Sequence, residues 1–217
     1  MRKLLKDDHI QSLLSIIVTG VCHFVSTLFL ARFLTKQAFG EWTLFFEGAY
    51  LIELMRYGIT QVGLVRFLAC ADQEDESKII GASWVLSVAF IAVVYLLGYG
   101  TLFFNRKILD SSFGILFVWY PLLSVATLPL SLGAAILQAK KMFLEILYIR
   151  LISSGSFMLL VLANVFFFGL GVKSIVIMYI GANLFASLFT LFANYSGIQY
   201  FFKTPADNIR DLFQFGK

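Results

Sequence analysis

The sequence predicts an all-α membrane protein with six membrane-spanning helices. Hydrophobic residues make up 59% of the 217 residues and charged residues only 14%, whereas a soluble domain averages about 25% charged residues. The mean hydropathy of the chain is +0.85. Apolar segments of about 20 residues, the length that a spanning helix needs, recur along the chain and are joined by short connections.

Six apolar segments are long enough to cross a bilayer as helices. Their predicted ranges are 10–34, 42–68, 79–104, 113–138, 143–169 and 174–202. The first of them is too long for the apolar part of a secretory signal peptide, and no convincing small-x-small cleavage site follows it. No connection is long enough to fold as a soluble domain, so residues 1–217 are predicted to form a single six-helix transmembrane lobe.

The positive residues of the loops predict the orientation, because Lys and Arg concentrate on the cytoplasmic side. With the N-terminus inside, ten of these residues are cytoplasmic: Arg2, Lys3, Lys6, Arg66, Lys78, Lys140, Lys141, Lys203, Arg210 and Lys217. Five lie outside: Arg32, Lys36, Arg106, Lys107 and Lys173. Both termini are therefore predicted to face the cytoplasm. The acidic run 72–76 is interpreted as a solvated loop on the same side.

Polar residues share one face of the first span and one face of the second. In the first span they recur every three or four residues, which places them on one side of a helix: Ser12, Ser15, Thr19, His23 and Ser26. In the second span they share less than half of the helix circumference: Tyr50, Glu53, Arg56, Tyr57, Thr60 and Gln61. The apolar residues lie opposite: Leu51, Met55, Ile59 and Val62. A helix of this kind must turn its polar side to protein or to a watery cavity.

The other spans carry weaker polar stripes. The fourth and sixth spans contain Ser124, Thr127, Ser131, Gln138, Tyr179, Asn183, Ser187, Thr190 and Asn194. Small polar residues commonly hold membrane helices together, so packing explains these two stripes at least as well as contact with a substrate. Pro121 and Pro129 are predicted to bend the fourth span. Arg150, in the fifth span, is predicted to lie near the cytoplasmic surface and to extend towards it.

Glu53 and Arg56 are the sharpest functional signal, because charges inside a membrane-length segment are rare and costly. They lie three residues apart on one helix and can pair with each other. One interpretation is a self-neutralised structural ion pair. The other is a cavity wall on which Arg56 meets an anionic ligand, since the planar guanidinium can bond two oxygens of a phosphate together.

Several classes of function are excluded by what the sequence lacks. It contains no nucleotide-binding glycine loop, no HExxH and no nucleophile elbow, so we do not expect an enzyme. Cys22, Cys70 and His23 do not have the spacing of metal ligands, and no metal or other cofactor is expected. The basic residues are dispersed among apolar segments, which argues against nucleic-acid binding.

Two motifs carry a family resemblance. ARFLTKQAFGEW (31–42) and YGITQVGLVRFLA (57–69) resemble motifs near the start of polysaccharide and O-antigen flippases. These flippases belong to the multidrug/oligosaccharidyl-lipid/polysaccharide (MOP) superfamily. The resemblance extends over essentially the whole chain, but it matches only the N-terminal lobe of a typical member. It implies one lobe of a transporter in which two six-helix lobes rock around a central cavity.

The resemblance also implies a function. We expect translocation of a lipid-linked oligosaccharide, an isoprenoid pyrophosphate sugar, across the bacterial inner membrane by alternating access. The expected substrate cavity contains Arg56, Glu53, Thr60, Gln61, Tyr57, His23, Thr19, Ser26 and Asn183. The alternatives are a cation-coupled multidrug exporter of the same superfamily, or a non-transporting membrane subunit of a glycan assembly complex.

The partners expected beside the sugar-lipid and the membrane lipid are a missing C-terminal lobe or a second copy of the chain. Segment 207–217 resembles the linker that leads into the seventh helix of the family. We therefore expect the chain to be half of a working transporter. Either two copies of it form a homodimer, or it is a fragment of a longer protein that contains the second lobe.

Overall fold

The computed structural model describes residues 8–104, 107 and 111–201, which contain helices and turns but no β-strand. The helices are α1 (Asp8–Phe33), α2 (Lys36–Arg56), α3 (Val62–Leu68), α4 (Gln73–Phe104), α5 (Gly114–Ala139), α6 (Phe143–Arg150), α7 (Ser156–Ala163) and α8 (Val172–Phe192). Three π-helical turns occur at Tyr57–Gln61, Leu151–Gly155 and Asn164–Phe168, and a 3-10 turn at Ile198–Tyr200. The prediction of an all-α fold is confirmed for the described residues.

The helices form six rods, because π-helical turns join α2 to α3 and α6 to α7 without a break. Five rods are long and apolar enough to cross a membrane: His9–Phe33, Asp75–Phe103, Gly114–Ala139, Phe143–Phe168 and Val172–Phe192. Such helices are typical of a multi-pass membrane protein. The second rod does not reach that apolarity. Its helix α2 contains five charged residues: Lys36, Glu41, Glu47, Glu53 and Arg56.

Three rods have ends that differ from the predicted ones. α2 begins at Lys36, six residues before the predicted start, because the Thr35 hydroxyl caps it by accepting a hydrogen bond from the Ala38 N–H (3.3 Å). α4 begins at Gln73, so the acidic run 72–76 is not a loop. Most of that run forms the first turn of α4, where negative charge is favourable, and Glu76 forms an ion pair with Lys140.

The last rod is shorter than predicted. α8 ends at Phe192, ten residues before the predicted end at residue 202. Asn194 and Gly197 have left-handed backbone angles (φ 56° and 62°), which stop a helix. The Tyr195 N–H then donates to the Thr190 carbonyl (3.0 Å) and closes the helix end.

Neighbouring rods run in opposite directions, so the bundle has two ends. We name them after the turns that they carry. The Thr35 end holds the turn between α1 and α2, and the Lys140 end holds the turn between α5 and α6. α5 lies at the centre and packs against α2, α3, α4, α6 and α8, whereas α1 packs mainly along the rod formed by α6 and α7.

The contact between α5 and α8 is the closest in the bundle's centre. A Cβ atom placed on Gly133 of α5 would collide with the Thr190 methyl group of α8. The Ser187 hydroxyl of α8 donates to the Ala126 carbonyl of α5. Glycine and hydroxyl residues therefore let α5 and α8 pack in direct contact. Packing was one of the two explanations of the polar stripes on these rods.

Some residues used in the orientation prediction lie outside the described part of the chain: Arg2, Lys3, Lys6, Arg106, Lys203, Arg210 and Lys217. The linker-like segment 207–217 does so as well.

Candidate functional site

A polar cleft of about 440 Å³ opens along the second rod. The second rod, α5 and the end of α6 line it: Tyr50, Glu53, Leu54, Tyr57, Gln61, Ser131, Ala134, Ala135, Gln138 and Arg150. The α5 residues belong to the last turns of that helix, so the cleft lies in the half of the bundle near the Lys140 end. Its volume falls within the range of about 300–1,000 Å³ that is typical of ligand pockets.

A smaller recess of about 170 Å³, whose surface is mostly apolar with a few polar side chains, adjoins the cleft towards α1. Ser131, Ala134 and Arg150 line both spaces, so the two lie side by side at these three residues. α1 contributes Thr19 and His23 to the recess, and the fifth rod contributes Ser153 and Ser154. We call the cleft and the recess together the polar cavity.

An aromatic layer lies between the polar cavity and the Thr35 end. It consists of Trp42, Phe46, Phe157 and Tyr179, whose rings pack against one another with centroids 5.0–5.7 Å apart. His23, which lines the recess, contacts the layer through Phe46 (5.6 Å). Beyond the layer lies a separate crevice of about 360 Å³, which is lined in part by Leu30, Thr35 and the turn 169–171.

Arg56 is fully buried behind the wall of the cleft (0% exposed). Its Nη2 atom donates to the Glu53 carboxylate and to the Ser131 hydroxyl (2.9 Å). The Tyr120 hydroxyl donates to the other oxygen of Glu53 (3.2 Å). The Glu53 side chain is 20% exposed and lines the cleft, so Glu53 separates Arg56 from the cavity.

The burial of Arg56 is incompletely compensated. Its Nε and Nη1 atoms have no hydrogen-bond partner among the described residues. An unsatisfied buried donor typically costs about 1–3 kcal/mol, and more when it belongs to a charged group. The ion pair with Glu53 is therefore the main interaction that keeps this guanidinium inside the bundle.

Arg150 occupies a different environment. It lines both the cleft and the recess, and its Nη1 donates to the Ser15 hydroxyl of α1 (3.3 Å). No carboxylate of the described residues lies within 4 Å of it. The position of Arg150 relative to the cytoplasmic surface stays a prediction; within the bundle, its guanidinium lies beside the cavity and contacts α1, which packs against α6.

The predicted cavity residues divide into two groups. Five of them line the polar cavity: Glu53, Tyr57, Gln61, Thr19 and His23. The other four lie behind its walls: Arg56, Thr60, Ser26 and Asn183. Thr60 donates to the Arg56 carbonyl (2.8 Å), and Ser26 to the Cys22 carbonyl (2.8 Å). Asn183 accepts a hydrogen bond from Ser153 (3.0 Å) and thereby supports a residue that does line the recess.

Several polar residues that line the cavity were not among the predicted ones, and the sequence carried a signal for Ser131, Gln138 and Arg150. Ser131 and Gln138 belong to the polar stripe of the fourth span, which we interpreted as packing at least as readily as substrate contact. Arg150 lies three residues before Ser153, so both lie on one face of the fifth rod. The spacing of Arg150 and Ser153 was therefore the signal in the sequence that Arg150 faces the same side as Ser153.

Within the described residues no three His, Cys, Asp or Glu side chains lie together as a metal site would require. No family model, no curated protein and no solved structure compared with the chain matches it, so the resemblance to polysaccharide flippases remains a prediction from the motifs.

Proposed function

We propose that this chain is one six-span lobe of a transporter that moves a lipid-linked oligosaccharide across the bacterial inner membrane by alternating access. The observation that carries the proposal is the polar cavity itself. It lies inside a bundle whose outward surface is apolar, and it is lined by charged, amide and hydroxyl side chains. Polar groups at membrane depth are costly, and they typically mark the path of a substrate.

The shape of the cavity supports a cargo with a polar head. The sugar and pyrophosphate would enter the cleft, while the isoprenoid chain stays in the bilayer. The aromatic layer of Trp42, Phe46, Phe157 and Tyr179 would block passage towards the Thr35 end in this conformation. With both termini cytoplasmic, the open half of the cavity would face the cytoplasm, where such cargo is loaded.

The charge of the cavity favours this cargo over cationic drugs. Glu53 and Arg56 neutralise each other, and Arg150 adds a positive charge without a carboxylate partner among the described residues. A multidrug exporter that takes cations would gain from the opposite charge. A subunit that only scaffolds a glycan assembly complex would have no use for a lined cavity of this size.

A translocation assay in a flippase-deficient strain tests the proposal. We expect the chain, together with its second lobe or second copy, to restore surface polysaccharide and to leave drug sensitivity unchanged. Restored drug resistance without polysaccharide would support the exporter instead. If neither phenotype changed while the protein reached the membrane in normal amount, the transport function would be wrong.

The cleft also needs a cover, because polar residues cannot face lipid. Tyr50 and Leu54 line it and are more than half exposed. We propose that a second lobe or a second copy of the chain lies over them. A Leu54→Cys variant should form a crosslinked dimer if two copies cover the cleft, whereas Leu97→Cys, on the exposed side of α4, should not.

A further inference from the structure

We propose that Arg150 binds the diphosphate group of the cargo and that Arg56 is a positioning residue. This inference rests on the proposed function, and it reverses the expectation from sequence that Arg56 is the anion contact. It depends on three observations: the environment of Arg56, the environment of Arg150, and the balance of charge in the polar cavity.

The first observation is that Arg56 is already engaged. Its Nη2 atom is held by Glu53 and Ser131, and its side chain has no exposed surface. A ligand in the cleft would meet Glu53 before it met Arg56. Because a carboxylate repels a diphosphate, this wall does not attract the anion. The role of Arg56 is to neutralise Glu53 and to hold the second rod against α5.

The second observation is that Arg150 has bonding capacity left. A guanidinium carries five N–H donors, and one hydrogen bond, to Ser15, is present here. The side chain borders both the cleft and the recess, so it can reach a ligand in either space. Its backbone is fixed because the Ser154 hydroxyl donates to the Arg150 carbonyl (2.6 Å). A fixed guanidinium with free donors suits a phosphate group, which it can bind through two oxygens at once.

The third observation is the charge of the cavity. Glu53 lines the cavity and is neutralised by Arg56 behind the wall, so Arg150 is the remaining charge once this pair is counted as neutral, among the described residues at the cavity. Hydroxyl groups of Ser131, Ser153 and Thr19 line the recess beside it, and each already donates its proton to another residue. An anion placed beside Arg150 would thus meet one formal positive charge in a space that is partly screened from water, and the guanidinium would supply the hydrogen bonds.

A binding experiment on the purified full chain in nanodiscs tests the assignment. The probes are farnesyl diphosphate, inorganic pyrophosphate and the neutral alcohol farnesol. We expect both diphosphates to bind and farnesol not to bind. Arg150→Gln should weaken diphosphate binding by about tenfold or more, as the loss of charge-assisted hydrogen bonds implies. Arg150→Lys should give an intermediate affinity, since it keeps the charge but loses the fork.

One variant tests the alternative assignment and another serves as the control. Glu53→Gln/Arg56→Gln removes the buried pair without leaving an unpaired charge, and because it also removes a carboxylate that lines the cleft, farnesyl diphosphate binding should be kept or strengthened. Arg32→Gln removes a charge at the exposed end of α1, at the other end of the bundle, and should bind unchanged. Thermal unfolding of each variant shows that it is folded. If Arg150→Gln does not fold, Arg150→Lys decides.

The results distinguish a wrong assignment of Arg150 from a wrong transport function. Retained binding in Arg150→Gln, or lost binding in the Glu53/Arg56 double variant alone, would overturn the assignment. Binding of inorganic pyrophosphate without farnesyl diphosphate would overturn the lipid-linked ligand. If binding depends on Arg150 but no sugar-lipid crosses the membrane, the proposed function fails and the anion site stands. If the sugar-lipid crosses equally well with Arg150→Gln, only this inference fails.

Discussion

Arg56 and Arg150 occupy the same local position in two different rods. Each is the last α-helical residue before a π-helical turn, Tyr57–Gln61 in one rod and Leu151–Gly155 in the other. In each case a hydroxyl four residues later, from Thr60 or Ser154, donates to the arginine carbonyl. Turns of this kind are rare and are frequently found at functional sites. Local structure alone would therefore assign the two arginines one role.

Their surroundings in the bundle are nevertheless opposite. Arg56 points to the packed contact between its rod and α5, where Glu53 neutralises it. Arg150 points to the cavity and has no carboxylate partner among the described residues. The comparison teaches that two arginines with the same local backbone can have different surroundings. The neighbouring rods then determine whether the charge stabilises the fold or stays available to a ligand.

The largest expected difference between the two arginines is in stability. Arg56→Met should destabilise the protein by about 3–5 kcal/mol, because it leaves the Glu53 carboxylate largely buried without its partner. Arg150→Met should change stability by less than about 1 kcal/mol, since it removes one long hydrogen bond. Unfolding in detergent, followed by tryptophan fluorescence, measures both changes. Equal losses in the two variants would contradict the comparison, and Glu53→Gln/Arg56→Gln should recover most of the loss.

A smaller difference is expected between the polar cavity and the packed core in how fast a cysteine reacts with a reagent dissolved in water. Ala134 and Ala126 both belong to α5, but Ala134 lines the polar cavity whereas Ala126 is buried. In a variant without Cys22 and Cys70, Ala134→Cys should react with a charged thiol reagent at least about tenfold faster than Ala126→Cys, because a thiol must contact water to react. The proposed orientation adds that this labelling occurs in inside-out vesicles and not in right-side-out ones. Similar rates at the two positions would mean that the cavity is closed to water.

The smallest expected effect concerns the second partner of Glu53. Tyr120→Phe removes one hydrogen bond to the carboxylate and should cost about 1 kcal/mol of stability. Tyr99→Phe, on an exposed ring of α4, is the matched control and should have little effect. The same unfolding measurement applies. If both changes were neutral, Tyr120 would not belong to the network that holds Arg56.

The sequence predicted the faces of the rods well. Spacing alone placed Leu51, Met55 and Val62 away from the polar side of the second rod, and all three are exposed. It also placed Thr19 and His23 on one face of α1, and both line the recess. These predictions succeed because the period of a helix fixes the side of every residue once the helix is identified.

The sequence could not predict which rods meet. Arg56 is buried because Ser131 and Tyr120, more than sixty residues later, lie opposite it. Arg150 is held inside because α1 packs against α6 and brings Ser15 to it. A helical period states nothing about the neighbour of a given face. The different surroundings of the two arginines were therefore visible only in the packed bundle.

The aromatic layer has an electrical consequence. The polar cavity is open and lined by groups that bind water, so its contents would lie near the potential of the solution that it opens to. If the proposed placement in the membrane holds, most of a voltage across the bilayer would fall across the packed layer of Trp42, Phe46, Phe157 and Tyr179. Moving one charge through the full field takes about 2.3 kcal/mol per 100 mV. A diphosphate held at Arg150 would feel little of this field until the layer opens, and opening would be the step at which membrane voltage acts on the cargo.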